Sequence, residues 1–183
     1  MAQLGLHTDA QEFLSLFQDE MFHHFKNKLN SRGHLMKNHA MRYIKILTAT
    51  QHDEESYFWQ ETGRSNLLVF LYLSIGENKP ARKQNVLTLE RAPNNINALF
   101  ANIRIHQADY SDIDEKKAQD QISNMDHHEI ELQKLICEGE IAYMCSYLGP
   151  AFHMESIERY EQLLQRTEAS GDERLQSARR LSL

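Results

Sequence analysis

The sequence predicts an all-α protein, and three observations carry that reading. Seven glycines and three prolines in 183 residues leave few turn formers for a many-stranded sheet. No run alternates apolar and polar side chains with the period of two that a half-buried strand requires. Apolar residues instead recur at helical spacing between start and stop signals, dividing the chain into about ten helical segments. Short helices joined by tight turns fold as antiparallel hairpins.

The first predicted helix opens at Thr8 or Asp9, with Gln11 or Glu12 as its capping-box partner. Its apolar face is Phe13, Phe17, Met21, Phe25 and Leu29, and Asn30-Ser31-Arg32-Gly33 ends it. A second helix, near 34–50, offers Met36, Ala40, Ile44 and Leu47 to a core. A shorter one follows Asp53, carries Tyr57, Phe58 and Trp59 as a packed cap, and is expected to stop at Gly63. Ser65 or Asn66 then caps a segment with the apolar stripe Leu67, Leu68, Leu71, Tyr72 and Ile75, closed by Gly76. Pro80 suits the first turn of the next helix, which runs through Val86, Leu87 and Leu89 to Pro93.

Asn94 or Asn95 caps a helix bearing Ile96, Leu99, Phe100 and Ile103. Asp112 with Glu115 forms another capping box, ahead of Ala118, Ile122 and Met125. A long segment from about 128 to 148 holds Leu132, Leu135, Ile141, Met144, Cys145 and Leu148, and Gly149-Pro150 ends it. Met154, Ile157, Tyr160, Leu163 and Leu164 define the apolar face of the next helix. Gly171-Asp172 opens a short charged end.

Composition excludes two classes. An apolar share of 41% against 25% charge is too high for a disordered tail. The longest apolar stretch, Leu67 to Leu73, spans seven residues, far short of the ~20 that cross a bilayer, so no membrane segment is expected. The start, MAQLGLHTDAQEF, has an acid at Asp9 and no basic lead before an apolar run, so no signal peptide is expected either. Cys137 and Cys145, on one helix, would stand about 12 Å apart along its axis, beyond the ~7 Å a disulfide tolerates. Free thiols fit a reducing compartment, and the cytoplasm is the expectation.

The net charge of −6 conceals an asymmetry. Residues 1–52 sum to +2, residues 53–104 to zero, residues 105–165 to −9 and the last eighteen to +1. Lys26, Lys28, Arg32, Lys37, Arg42 and Lys45 occupy twenty residues without one acid. Interleaved with Phe25, Met41 and Tyr43, they form the best candidate anion-binding face, with RNA as the partner it would suit. The same cations can equally pair with the acidic C-terminal part of this molecule or of a second copy, and that reading is preferred because the remaining surface is acidic.

Between Leu68 and Pro93 the spacing is that of a tetratricopeptide repeat. Leu68 and Val69 take the Leu-Gly pair, Tyr72 the tyrosine, Gly76 the turn, Ala81 the small residue and Pro93 the terminal proline. The leucine-like position recurs at Ile103 and Ile141, and Gly149 answers Gly76. Through these residues and the Asn94-Asn95-Ile96-Asn97-Ala98-Leu99 junction, the chain resembles tetratricopeptide repeat proteins over roughly residues 64–168. The likeness is to tetratricopeptide repeat protein 22-like sequences and to the interferon-induced tetratricopeptide repeat family, which also suggests innate immunity. Asn85 stands at a usual aromatic position and Thr88 at a usual alanine.

The resemblance implies a short right-handed solenoid of stacked hairpins with extra N-terminal helices. Residues 1–63 would be an N-terminal helical segment, 64–170 about three degenerate repeats, and 171–183 a charged tail or capping helix. It also implies a non-catalytic scaffold or adaptor that holds a protein or peptide segment in a concave groove, without a cofactor. By repeat position, Asn66, Phe70, Asn102, His106 and Glu138 would face that groove. Homo-oligomerisation is compatible with this reading.

Other site signals are weaker. His23-His24 follow Asp19 and Glu20 at i,i+4, and His127-His128 sit between Asp126 and Glu129. A metal needs three or four ligands converging from one side, whereas adjacent histidines on a helix point about 100° apart, so no metal site is expected. Cys145 lies in an apolar stripe, where a buried, inert thiol is the common outcome, and no catalytic motif appears. Arg179-Arg180-Leu181-Ser182 resembles a basic-directed kinase site, with Ser182 as the phosphate acceptor.

Overall fold

A computed structural model describes residues 35–49, 58–109, 117, 120–147 and 150–170. Its elements are α1 (Leu35–Ala49), α2 (Phe58–Ser74), α3 (Asn78–Arg91), α4 (Ile96–Asp109), α5 (His127–Tyr147) and α6 (Pro150–Ser170). A further helical stretch occupies 120–123, and no strand occurs among the described residues. The predicted first helix, the Asp112–Glu115 capping box, the Tyr57-Phe58-Trp59 side chains and the segment 171–183 lie outside what is described.

Helix α2 is the centre of the molecule. From Thr62 to Leu71 every residue is buried, so the helix is enclosed on all sides. It packs against α1, α3, α4 and α5, while α6 packs against α5. Leu68, Ile103 and Ile141 all enter one continuous core with Leu47, Leu67, Leu71, Ile96, Leu99 and Met144. The direct contact of α2 with α5 brings the opening helices of the first and third expected repeats together. Stacked repeats that touch only their neighbours do not make that contact.

Two of the expected hairpins, the first and the third, form among the described residues. In α2–α3, Gly76 takes the left-handed conformation at φ +80, and Glu77 N–H donates to the Tyr72 carbonyl at 2.9 Å while Gly76 N–H donates to Leu73. That six-to-one bond ends α2 as a Schellman motif. Gln84 Nε2 donates to Ser65 Oγ at 2.8 Å and Arg91 pairs with Glu61 at 3.2 Å, so the two helices run antiparallel. In α5–α6, Ser156 Oγ donates to the Ala142 carbonyl at 2.8 Å, and Arg166 reaches back to Glu138.

Three sequence expectations change. Gly63 does not stop a helix, and Ser65 and Asn66 do not cap one; all three lie inside α2, so the division at residue 63 falls within a continuous helix. Glycine in a helix interior costs only about 1 kcal/mol. Here it permits a close approach: a Cβ on Gly63 would stand 3.3 Å from Tyr143 Cδ1 and 3.6 Å from the Glu140 Cα. On α3 the inward face is Ala81, Asn85 and Thr88, while Val86 and Leu87 face outward. On α6 the core takes Phe152, Ser156 and Leu163, and Met154 and Ile157 are left 66% and 49% exposed.

Candidate functional site

The most polar place in the interior is built around Glu140, which lies on α5 and is 0% exposed. Asn66 Nδ2 donates to its Oε2 at 2.8 Å, Asn97 Nδ2 to the same oxygen at 2.6 Å, and Asn95 Nδ2 to Oε1 at 2.7 Å. The Thr62 hydroxyl also hydrogen-bonds to the carboxylate. Thr62 and Asn66 stand one turn apart on α2 and flank Gly63, so the same close approach that needs glycine brings their side chains to α5.

Asn95 is held in turn as the N-cap of α4. Its Oδ1 accepts the Ala98 N–H at 2.9 Å and the Asn66 amide at 3.1 Å. Asn97, in the first turn of α4, accepts from Cys137 Sγ at 3.1 Å. One carboxylate therefore joins α2, the α3–α4 turn, α4 and α5. Burial pushes the Glu140 carboxyl above its ordinary value, and the hydrogen bonds from Thr62 and the three asparagines offset only part of that rise. Burial, followed by the charges of Glu140 and Glu138, pushes the Cys137 thiol well up, so it remains protonated. Every side chain of the cluster is buried, and what the arrangement does chemically is bind these helices to one another.

The exposed features are of a different kind. On α1, Ala40, Ile44 and Leu47 face the core. Lys37, Arg42 and Lys45 are all exposed on the outer side, beside Met41 at 50% and Ile46 at 42%. The helix contains no acid. On α6 the outer side holds Met154, Ile157, Glu158 and Glu161. The acids Glu155 and Glu138 are already paired with Arg159 and Arg166.

The expected groove residues separate. Asn66 and Phe70 are buried at 4% and 3%, so neither lines an open groove; α2 is enclosed, and both sides of the helix are used for packing. Asn102 is half-buried and accepts a 3.4 Å hydrogen bond from Asn85 Nδ2. Glu138 is half-buried beside Arg166. His106 belongs to α4, but its side chain lies outside the described residues, as do Lys26, Lys28, Arg32 and Ser182. His127 and His128 are exposed at the start of α5, where Asp126 caps the helix by accepting the Glu129 N–H at 2.8 Å. No group of three metal-binding side chains converges among the described residues. Both cysteines are free and buried.

Glu140 escaped the sequence reading. Its signal was an acid directly before the apolar run Ile141-Ala142-Tyr143-Met144-Cys145, with asparagines at 66, 95 and 97 able to donate to it. No helix among the described residues is long and apolar enough to cross a membrane. No protein-family model, curated protein or solved structure matches the chain.

Proposed function

We propose that this chain is a non-catalytic helical scaffold that binds protein through the outer faces of its flanking helices, α1 and α6. One observation carries the reading: Met154 and Ile157 stand out of the core on α6, with the acids Glu158 and Glu161, which have no ion-pair partner among the described residues, on the same side. Single exposed apolar residues are ordinary, but two large ones one turn apart, interleaved with like charges, form an amphipathic docking stripe. The resemblance to tetratricopeptide repeat proteins supports a scaffold as well. With Asn66 and Phe70 committed to the interior, the binding surface is the outside of the hairpins instead of a groove among their first helices. Cytoplasmic residence belongs to this proposal and is supported by two buried free thiols.

A photo-reactive side chain at position 154 tests it, with one at Glu77 as control. A discrete adduct from position 154, lost with Glu158→Lys/Glu161→Lys, is the expected result. Equal labelling from both positions would remove the reading. RNA is the second reading, and the acid-free outer face of α1 with Lys37, Arg42 and Lys45 favours it. It requires affinity to fall steeply between about 50 and about 200 mM salt.

A further inference from the structure

We infer that the partner for these faces is a second copy of this chain, with α1 of one molecule docking against α6 of the next. The inference rests on the scaffold reading and names its occupant. The argument is complementarity. Lys37, Met41 and Lys45 follow at i, i+4 and i+8 along one line of α1, with Arg42 and Ile46 further round the exposed side. On α6, Met154, Glu158 and Glu161 follow at i, i+4 and i+7, with Ile157 adjoining. The α1 face sets Met41 between two lysines, the α6 face sets Met154 and Ile157 among acids, and the signs are opposite. None of these five charged side chains has an ion-pair partner among the described residues.

Like faces do not pair. Two α1 faces would set three cations against three, and two α6 faces two acids against two, which is destabilising at contact. Only the unlike combination buries Met41 against Met154 and Ile157 while bringing lysine to glutamate. An unlike contact closes into a two-fold pair when both faces of each molecule are used, and otherwise grows as a chain. One helix face against another buries less than the ~1,200 Å² of a standard interface, so association is weak and salt-sensitive.

The test is sedimentation of the full chain over a concentration series, at about 50 and about 500 mM salt. The wild type associates at low salt, and its association constant falls roughly tenfold or more at high salt. Lys37→Glu/Arg42→Glu/Lys45→Glu and Glu158→Lys/Glu161→Lys are each monomeric alone, because each now presents two faces of one sign. Mixed together they associate again, since each variant supplies the charge the other lacks; this recovery also demonstrates that both are folded. A wild type that stays monomeric at low salt overturns the inference, and so does association that survives either reversal. If the chain is monomeric while position 154 still labels a protein of a different mass, self-docking fails and the scaffold reading stands. Tight binding of a uridine homopolymer RNA to α1 by a monomeric wild type overturns it in favour of the anion-binding reading.

Discussion

Glu140 and Asn85 are both wholly shielded from solvent, yet the protein treats them in opposite ways. Glu140 meets four neutral donors from α2, the α3–α4 turn and α4, three of them at 2.6–2.8 Å. Among the described residues Asn85, on α3, makes a single long side-chain hydrogen bond of 3.4 Å to Asn102, and its own side-chain carbonyl oxygen has no partner. Burial by itself does not make a polar group structural. The number and geometry of its partners decide, because an unmet polar atom forfeits its hydration and gains nothing in return. The first site holds four segments together, and the second is tolerated.

The hardest way to break the comparison is Glu140→Ala. Four buried donors then lose their acceptor at once, and unfolding free energy should fall by about 3–5 kcal/mol, read from the urea midpoint. Glu140→Gln should lose far less, since a Gln carbonyl keeps part of the set and the unpartnered Asn66 Oδ1 can accept from its amide. A Glu140→Ala protein as stable as the wild type would remove the cluster's structural role.

A glycine pair sharpens the same point. Gly63→Ala sets a methyl 3.3 Å from the Tyr143 ring and 3.6 Å from the α5 backbone at Glu140, so α2 must back away from the carboxylate; a loss of about 1–3 kcal/mol is expected. Gly139→Ala meets only the end of Leu163 at 3.3 Å, a side chain that can give way, and helix propensity favours alanine by about 1 kcal/mol. Its effect on thermal midpoint should be near zero or stabilising. Equal losses at the two positions would mean that the α2–α5 approach is not the tight one.

Acidity offers a third test. The Glu140 carboxyl in the folded chain lies above its ordinary value of 4.5, so the native state holds the proton more tightly than the unfolded chain does. Lowering the pH from neutrality through the folded value therefore stabilises the wild type relative to Glu140→Gln, by at most about 1.4 kcal/mol per pH unit, and the gain levels off below 4.5. Glu131, lowered chiefly by its hydrogen bond from Lys134, contributes in the opposite direction, and comparison with Glu140→Gln cancels it. A stability difference that is flat from neutral to mildly acid pH would contradict the shift. The smallest effect is expected at Asn85→Ala: removing a poorly bonded amide should change stability by less than about 1 kcal/mol, whereas a well-satisfied buried asparagine would lose more.

Much of the architecture was legible in the chain. The Gly76 turn, the Asn95 cap, the Ala40–Ile44–Leu47 stripe and the long α5 are set by contacts within a few residues, and local signals report them. Gly63, Met154 and Ile157 misled for a common reason. Gly63 looks like a terminator unless its neighbour on α5 is known, and Met154 and Ile157 look like core because residue type says nothing about which side of a helix finds a partner. Asn66 was read as a groove donor from its repeat position, but its acceptor lies 74 residues away.

What the sequence determined by itself was helical class, hairpin turns, caps and the opposed charges of its two halves, all consequences of local backbone preference and composition. Tertiary structure alone decided that α2 and α5 meet, that Glu140 is sealed among asparagines, and which apolar residues remain outside. Those outcomes depend on distances between residues far apart in the chain, and periodicity carries no record of which faces will come together.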